Sequence, residues 1–240
     1  TVFQLSTVDV EQYTLRMNTW KRPETLRPSL IHHLSCDAVA MIQVVWCLDQ
    51  GEIPEWLYLM EKEEERLVIE EHEINSLNER FNVIIPPATK GILSIDDDVL
   101  RPCLAYDWTF YKWTMNPERL VTFDARAHKI DEEGTWSYQY LSPTESSNRY
   151  SFGLTRCAFL HADYLNIYYK TKSLAPIRKM VDDYFNCEDI AMSLIISIHT
   201  SGQPPLLADY WAIKTTIELD DGSNAKISSG IDHKTFRDQC

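Results

Sequence analysis

A largely parallel, doubly wound α/β sheet is the fold this sequence predicts, and three observations predict it. Short apolar runs at residues 38–47, 66–72 and 91–95 end in polar or turn-forming residues, as buried strands do. Segments with helical spacing alternate with them through the first half of the chain. Carboxylates crowd the end of the 91–95 run, and open α/β sheets hold ligands beyond the carboxyl ends of their strands. No repeat or linker interrupts the 240 residues, so a single domain over 1–240 is expected.

Element by element, residues 2–8 read as a short buried strand. Residues 10–22 read as a helix, with Val10, Tyr13, Met17 and Trp20 near i, i+3 and i+7. Residues 38–47 fit a central strand. Residues 55–60 form a brief helix that ends in the charge run 61–65, read as a solvated face and not as a metal site. Strands follow at 66–72 and 91–95, an aromatic-rich helix at 104–115 and a strand at 118–123. The polar stretch 127–150 is bounded by Glu133-Gly134 and Ser142-Pro143 and fits a hairpin or loop. A strand at 154–160 precedes helices at 162–170, 175–185 and 187–200, and the loop-rich tail holds one strand at 211–219.

Composition narrows the function. The formal charge of −13 repels a nucleic-acid backbone and an anionic membrane, because clustered cations bind both. No apolar run is long enough to span a bilayer, and residues 1–5 lead straight into a strand-like segment where a signal peptide would lie. The sequence lacks an initiator Met and so reads as a piece of a longer protein. Six scattered cysteines show no CxxC spacing, which argues against structural zinc. Cys240 closes the sequence. Either it is tied to another cysteine, Cys187 being one candidate, which implies an oxidising compartment, or the boundary is coincidental. The absence of GxGxxG, GxxxxGK[ST], GxSxG and HExxH disfavours dinucleotide enzymes, P-loop NTPases, α/β-hydrolases and zincins.

Three clusters carry candidate chemistry. Asp96-Asp97-Asp98 follows a buried strand, and three adjacent carboxylates repel one another unless a cation or hydrogen-bond donors compensate. Their hard oxygens suit Mn²⁺ or Mg²⁺ bridging to a diphosphate, whereas a helix cap is the plainer reading. Asn186-Cys187-Glu188-Asp189 opens a helix and equally fits an N-cap with acids in its first turn. Asn75 through Arg80 is polar and suits either a surface loop or phosphate and base contacts.

The ordered set Val44-Val-Trp46, Asn75 to Arg80, the strand ending in Asp96-Asp97-Asp98, Pro117 to Val121, Asn186-Cys-Glu-Asp189 and Arg237-Asp-Gln-Cys240 resembles the exostosin-type glycosyltransferase domain, glycosyltransferase family 64. The resemblance covers essentially the whole chain. It implies a GT-A fold and a retaining, Mn²⁺-dependent transfer of N-acetylhexosamine such as GlcNAc, or of another sugar, from a UDP-sugar to a glycan or glycolipid. It also implies the lumen of the Golgi or endoplasmic reticulum, with any membrane anchor outside this sequence. Residue by residue, it makes Asp98 the metal ligand and places Asn75, Arg80, Asp96 and Asp97 at the donor. Asp189 becomes the catalytic carboxylate and Arg237 its companion near the diphosphate or sugar. Cys187 and Cys240 become a disulfide that fastens the tail. Residues 1–125 would then form the nucleotide-sugar half and 126–240 the acceptor and catalytic half.

Three departures from the family pattern stand out. Residues 6–10 lack the arginine expected after the first strand. Cys47-Leu48 replaces an asparagine expected at the donor base. Arg156-Cys157 stands where small residues are common, so Arg156 is read as either an acceptor contact or a salt-bridge partner. Two rival readings are a catalytically silent GT-A domain that supports a larger transferase, and a Mg²⁺-dependent phosphotransferase with Asp96 as nucleophile.

Overall fold

The computed structural model describes residues 4–130, 132–147, 149–217 and 232–240. In chain order its elements are β1 (Tyr13–Asn18), α1 (Pro23–Leu34), β2 (Val39–Cys47), α2 (Glu55–Glu63), β3 (Leu67–His72), β4 (Gly91–Asp96), α3 (Cys103–Thr114), β5 (Val121–Thr122), β6 (Ala125–Ile130), β7 (Trp136–Gln139), α4 (Leu141–Ser147), β8 (Phe152–Gly153), β9 (Cys157–His161), α5 (Ala162–Lys170), α6 (Ala175–Tyr184), α7 (Glu188–His199), β10 (Leu206–Leu207), α8 (Tyr210–Lys214) and α9 (His233–Gln239). The main sheet has the order β10-β5-β9-β4-β1-β2-β3. All neighbours in it pair in parallel except β9, which is antiparallel to both β4 and β5. A smaller antiparallel sheet has the order β7-β6-β8. The mostly parallel α/β sheet expected from the sequence is therefore present, with the single reversed strand β9 as an addition.

Both sheet faces are buried, which explains the nearly continuous apolar strands. On one face Leu15 and Met17 of β1 join Leu26 and Leu30 of α1, Leu57 of α2 and Phe110 of α3. On the other, Ile92 of β4 and Leu160 of β9 pack on Leu165 and Tyr168 of α5 and on Met192 and Ile195 of α7. Each such buried side chain contributes about 1.5–3 kcal/mol. Close approach of α3 to the sheet requires Gly91, since a Cβ there would lie 2.8 Å from the Phe110 ring and 2.9 Å from Trp113.

Three sequence expectations are corrected. Residues 10–22 are not a helix. Tyr13, Leu15 and Met17 alternate with Thr14, Arg16 and Asn18 along β1, and all but Asn18 are buried. Helical spacing of Val10, Tyr13, Met17 and Trp20 was coincidental, and Arg16 hid the strand because a fully buried arginine reads as a surface residue. The expected strand at 2–8 is irregular over its described part, 4–8, and residues 1–3 lie outside the described residues. The expected strand at 211–219 begins as α8, whose last carbonyls are capped by Arg101: Nη1 donates to Ala212 O at 2.9 Å and Ile213 O at 2.6 Å. Residues 218–219 lie outside the described residues.

Helix α1 has no counterpart in the sequence expectations. Pro23 at its start is a first-turn signal, but Pro28 and two histidines dilute its apolar pattern. A disulfide from Cys36 to Cys103, with Cα atoms 5.3 Å apart, ties the end of α1 to the start of α3. Among the described residues no helix is long and apolar enough to cross a membrane.

Candidate active site

Strands β1, β2, β3 and β4 run in parallel, so their carboxyl ends share one sheet edge. Asn18 pairs with Asp96 in the β1–β4 register, which sets the segment after β1 beside Asp96-Asp97-Asp98. The arginine expected after the first strand is therefore present: with β1 at Tyr13–Asn18, Arg22 occupies that place. Its guanidinium pairs with Asp97 and, at 2.8 Å, with Asp98 Oδ2.

Two adjoining chambers open at this edge. The smaller, about 350 Å³, is lined by Asn18, Val45, Cys47, Asn75 and Ser76. The larger, about 660 Å³, has Asp98 and Arg156 on its walls together with Glu188, Asp189, His233 and Arg237. Trp20, Arg22, Leu77, Arg80 and Asp96 line both, so the chambers form one cleft. Of the site residues expected from sequence, Asn75, Arg80, Asp96, Asp98, Asp189 and Arg237 meet in this cleft. Asp97 does not line it. Its fully buried carboxylate accepts from Thr19 Oγ1 at 2.7 Å and pairs with Arg22. Burial pushes that carboxyl up to about 7, against the pull of Arg22 and Thr19. In this structure Asp97 braces the loop instead of facing a donor.

Arg80 is fixed by a buried network beneath it. It sits on a 3₁₀ turn, Leu77–Phe81, whose carbonyls converge on Arg16 of the central strand. Arg16 Nε donates to Arg80 O at 2.7 Å, and its Nη2 donates to Asn82 O at 2.5 Å and Glu79 O at 3.3 Å. The Arg16 guanidinium also pairs with Glu70 at 2.7 Å, with neither side chain exposed. Thus anchored, Arg80 places Nη2 2.5 Å from Asp96 Oδ1 and Nε 3.8 Å from Glu188 Oε1.

Breaking a buried ion pair by removing one partner costs about 3–5 kcal/mol. Arg16→Met, which keeps the stem and removes the donors, should lower thermal stability by that amount, roughly 10 °C in Tm for a chain this long. A scanning-calorimetry shift below about 2 °C would show that the network does not hold the turn.

His72 completes this network, with Nδ1 2.5 Å from Glu79 Oε2 and Nε2 3.4 Å from Glu70 Oε2. The neighbouring His72, with the charge of Arg16, holds the Glu70 carboxyl down to about 2 despite its burial. Glu70 and Glu79 in turn raise His72 above its ordinary value, against burial. A lowered acid contributes stability above its unfolded value of 4.5 and loses it as pH falls through the folded one. A raised histidine contributes fully below its unfolded value of 6.5 and loses it as pH rises through the folded one. The advantage of wild type over His72→Gln should therefore be largest between about 4.5 and 6.5 and shrink above that window. A Tm difference that stays flat from pH 5 to 9 would contradict the assignment.

The opposite wall is built by the start of α7 and by α9. Asp189, in the first turn of α7, receives Arg237 Nη1 at 3.0 Å on Oδ1 and Nη2 at 2.6 Å on Oδ2. Both residues are buried, and the guanidinium carbon lies 4.9 Å from the Tyr138 ring centroid. A disulfide joins Cys187, the residue before α7, to Cys240, the residue after α9, with Cα atoms 6.1 Å apart. The bond fastens α9 where Arg237 meets Asp189, as the sequence resemblance implied. Glu188 beside them is buried, and burial with the neighbouring Asp189 charge pushes its carboxyl above the ordinary carboxylate range.

Sequence reasoning missed several lining residues. Arg22 follows from the true register of β1. Glu188 was already in view as the neighbour of Asp189. Trp20, like Arg22, belongs to the segment after β1, whereas Arg126, Tyr138, Tyr140 and His233 carry no local signal, because only the fold brings the β6–β7 hairpin and α9 to the cleft.

Asp98 fits a divalent ion of the Mn²⁺ or Mg²⁺ class. Its carboxylate is a hard oxygen donor, 23% exposed at the cleft. Among the described residues, three or more His, Cys, Asp or Glu ligand atoms converge only at His32, Cys36 and Cys103, where both cysteines are already bonded to each other.

Comparison with known proteins supplies the remaining evidence. The chain is 35% identical over 206 residues to glycosylinositol phosphorylceramide mannosyl transferase 1 of Arabidopsis thaliana, covering 79% of this chain and 60% of that protein. It is 28% identical over 201 residues to human exostosin-like 2, covering 80% and 60%. The chain thus spans less than two thirds of the length of these relatives. In fold it is similar to 4-diphosphocytidyl-2C-methyl-D-erythritolsynthase from Anaerococcus prevotii, at a TM-score of 0.51 and 10% identity over 90% of this chain and 93% of that one. The family model for the glycosyl transferase family 64 domain matches residues 13–240, from the first residue of β1 to the cysteine that fastens α9, and the chain belongs to that family.

Proposed function

We propose that this domain is a retaining, Mn²⁺-dependent transferase that moves a sugar from a UDP-sugar to a hydroxyl of a glycan or glycolipid. One observation carries the reading: a single cleft at the carboxyl ends of parallel strands sets Arg22, Arg80 and Asp98 against the Asp189–Arg237 pair. The smaller chamber, with Asn75, is assigned to the nucleoside, and the larger to the diphosphate, the sugar and the acceptor. Residues 1–125 supply most of the first chamber, and residues 126–240 supply the Asp189 wall of the second.

In this mechanism Asp98, with Mn²⁺ or Mg²⁺ when bound, holds the donor diphosphate; the ion supplies Lewis-acid neutralisation of the leaving group. Arg22 and Arg80 add fixed donors where negative charge collects on UDP. The bond from the anomeric carbon to the β-phosphate oxygen breaks, and the acceptor oxygen bonds to that carbon. The acceptor proton passes to the departing phosphate or to a carboxylate. Asp189 faces the positive charge that develops at the anomeric carbon, and Arg237 keeps its oxygens oriented. Retention follows either from attack on the leaving-group face or from a glycosyl intermediate on a carboxylate.

N-acetylhexosamine, such as GlcNAc, is the proposed sugar. Mannose is a second reading, favoured by the name of the plant mannosyl transferase and by Cys47, which lines the nucleoside chamber where asparagine was expected. Two disulfides among the described residues favour an oxidising secretory lumen such as the Golgi. A panel of UDP- and GDP-sugars assayed for hydrolysis with Mn²⁺ and with chelator tests the reading. Metal-dependent turnover of one donor is expected. UDP binding without turnover of any donor would favour a silent, assembling domain.

A further inference from the structure

One face of β1, β2 and β3 runs from the smaller chamber into the protein interior. In the strand register Asn18 lies beside Val45 and Val45 beside Glu70, and the next pair on that face is Cys47 with His72. Asn18, Val45 and Cys47 line the chamber, whereas Arg16 and His72 meet the turn Leu77–Phe81. That turn and the residues just before it give Asn75, Leu77 and Arg80 to the chamber wall. One side of the turn therefore faces the chamber and the other faces His72.

Both ring nitrogens of His72 face carboxylates, Nδ1 at 2.5 Å from Glu79 Oε2 and Nε2 at 3.4 Å from Glu70 Oε2. A neutral imidazole has one N–H and one lone pair, so it would turn that lone pair on a carboxylate. His72, Glu70 and Glu79 are all buried. Arg16, the fixed cation of the cluster, pairs with Glu70. Among the described residues no lysine or arginine lies within ion-pairing distance of Glu79, and Arg80 is turned to Asp96 and Glu188. Without the His72 proton, one of the two carboxylates stays buried and unmatched, which a protein interior penalises heavily. The other titratable neighbours stay uncharged. Burial pushes the Cys47 thiol up to about 11, and it raises the Tyr169 hydroxyl, which donates to Glu79 Oε1 at 3.4 Å.

We propose that His72 is a positioning residue for the donor: as an imidazolium it clamps Glu79, and with it the turn that carries Arg80, so that donor affinity falls when His72 loses its proton. The inference rests on the reading of the cleft as a nucleotide-sugar site and adds a pH control to it. Two effects act in the same direction. Deprotonation loosens the turn that holds Arg80, and it leaves a net negative charge behind a chamber that must take an anionic donor. The cation is present below the ordinary histidine value of 6.5 and is lost as pH rises through the raised value in the fold. A transferase built this way binds its donor best in a mildly acidic compartment.

Calorimetric titration of UDP-glucose in Mn²⁺ tests this, because the diphosphate of that probe stays fully ionised across the range. Wild-type affinity should fall about tenfold between about pH 6 and about pH 8.5. His72→Gln, with Tm recorded to confirm folding, should bind about tenfold more weakly than wild type at the lower pH and equally at the higher one. Asp97 and Glu188 also carry raised carboxyls, but both persist in the variant, so the ratio of wild type to variant isolates His72. Linkage supplies a second readout, which decides alone if the variant unfolds. A probe bound about tenfold more tightly by the protonated form should raise the His72 midpoint by about one pH unit, read from its ring resonances. A ratio that does not change with pH, or a midpoint that the probe does not move, would overturn the proposal. Absence of UDP-glucose binding by the wild type at either pH would instead count against the donor reading. Amide protection of residues 77–82 then decides: it falls as His72 deprotonates if the clamp exists, and constant protection overturns it.

Discussion

Asp189→Asn is expected to slow sugar transfer roughly a thousandfold, about 4 kcal/mol of transition-state stabilisation, with UDP affinity in Mn²⁺ changed by less than about threefold. The asymmetry follows from where the two functions sit. In the proposed mechanism the phosphate contacts fall to Arg22 and Asp98, just past the ends of β1 and β4, and to Arg80 on the 3₁₀ turn Leu77–Phe81, whereas Asp189 lies on the facing wall. Asn keeps the side-chain shape and one acceptor for Arg237, so the pair loses its charge before it loses its geometry. A buried carboxylate works in a poorly screened site, and its unit charge is what the developing cation at the anomeric carbon would meet. The substitution also leaves Arg237 buried against a neutral group, which costs stability. Tm must therefore be followed alongside single-turnover rates on the folded fraction. Wild-type turnover in a folded Asp189→Asn chain would remove this residue from the chemistry. Loss of UDP affinity equal to the loss of rate would mean that Asp189 holds the donor and not the transition state.

Much of this site was legible before any coordinates, for reasons that can be named. The strands β2 and β4 are buried on both faces, so their sequences are apolar runs that few other structures produce. The acidic triplet at the end of β4 stood out because like charges rarely gather without compensation. The β1 strand was not legible: its buried Arg16 is satisfied by partners 27 to 66 residues away, Gln43, Glu70, Glu79 and Asn82 among them. No local pattern encodes such partners. That one misread register also hid Arg22, because the segment following the strand was sought twelve residues too early. Asp97 shows the opposite failure. Three adjacent aspartates look equivalent in sequence, but alternation along the chain turns the middle one inward onto Thr19 and Arg22.

Asp98→Ala separates the metal from the arginines. In this variant Mn²⁺ should improve UDP binding by no more than about twofold, where the wild type should gain about a hundredfold, equivalent to about 2.8 kcal/mol. Without metal the expectation runs the other way. Asp98 accepts one arm of Arg22, whose other arm pairs with Asp97. Deleting Asp98 frees a guanidinium arm at the cleft and removes a negative charge beside the diphosphate. Metal-free UDP affinity should then hold or rise by a few fold, because exposed charge pairs of this kind are worth at most about 1 kcal/mol. Stability should change little, since Asp98 is partly exposed and anchors no core residue. Calorimetry with UDP in Mn²⁺ and in chelator gives all four affinities. Equal weakening in both conditions would show that Asp98 serves UDP by positioning Arg22, and the ion would need another ligand. Unchanged Mn²⁺ dependence would exclude Asp98 as that ligand outright, leaving Asp96, which Arg80 already holds, as the remaining carboxylate of the triplet that lines the cleft.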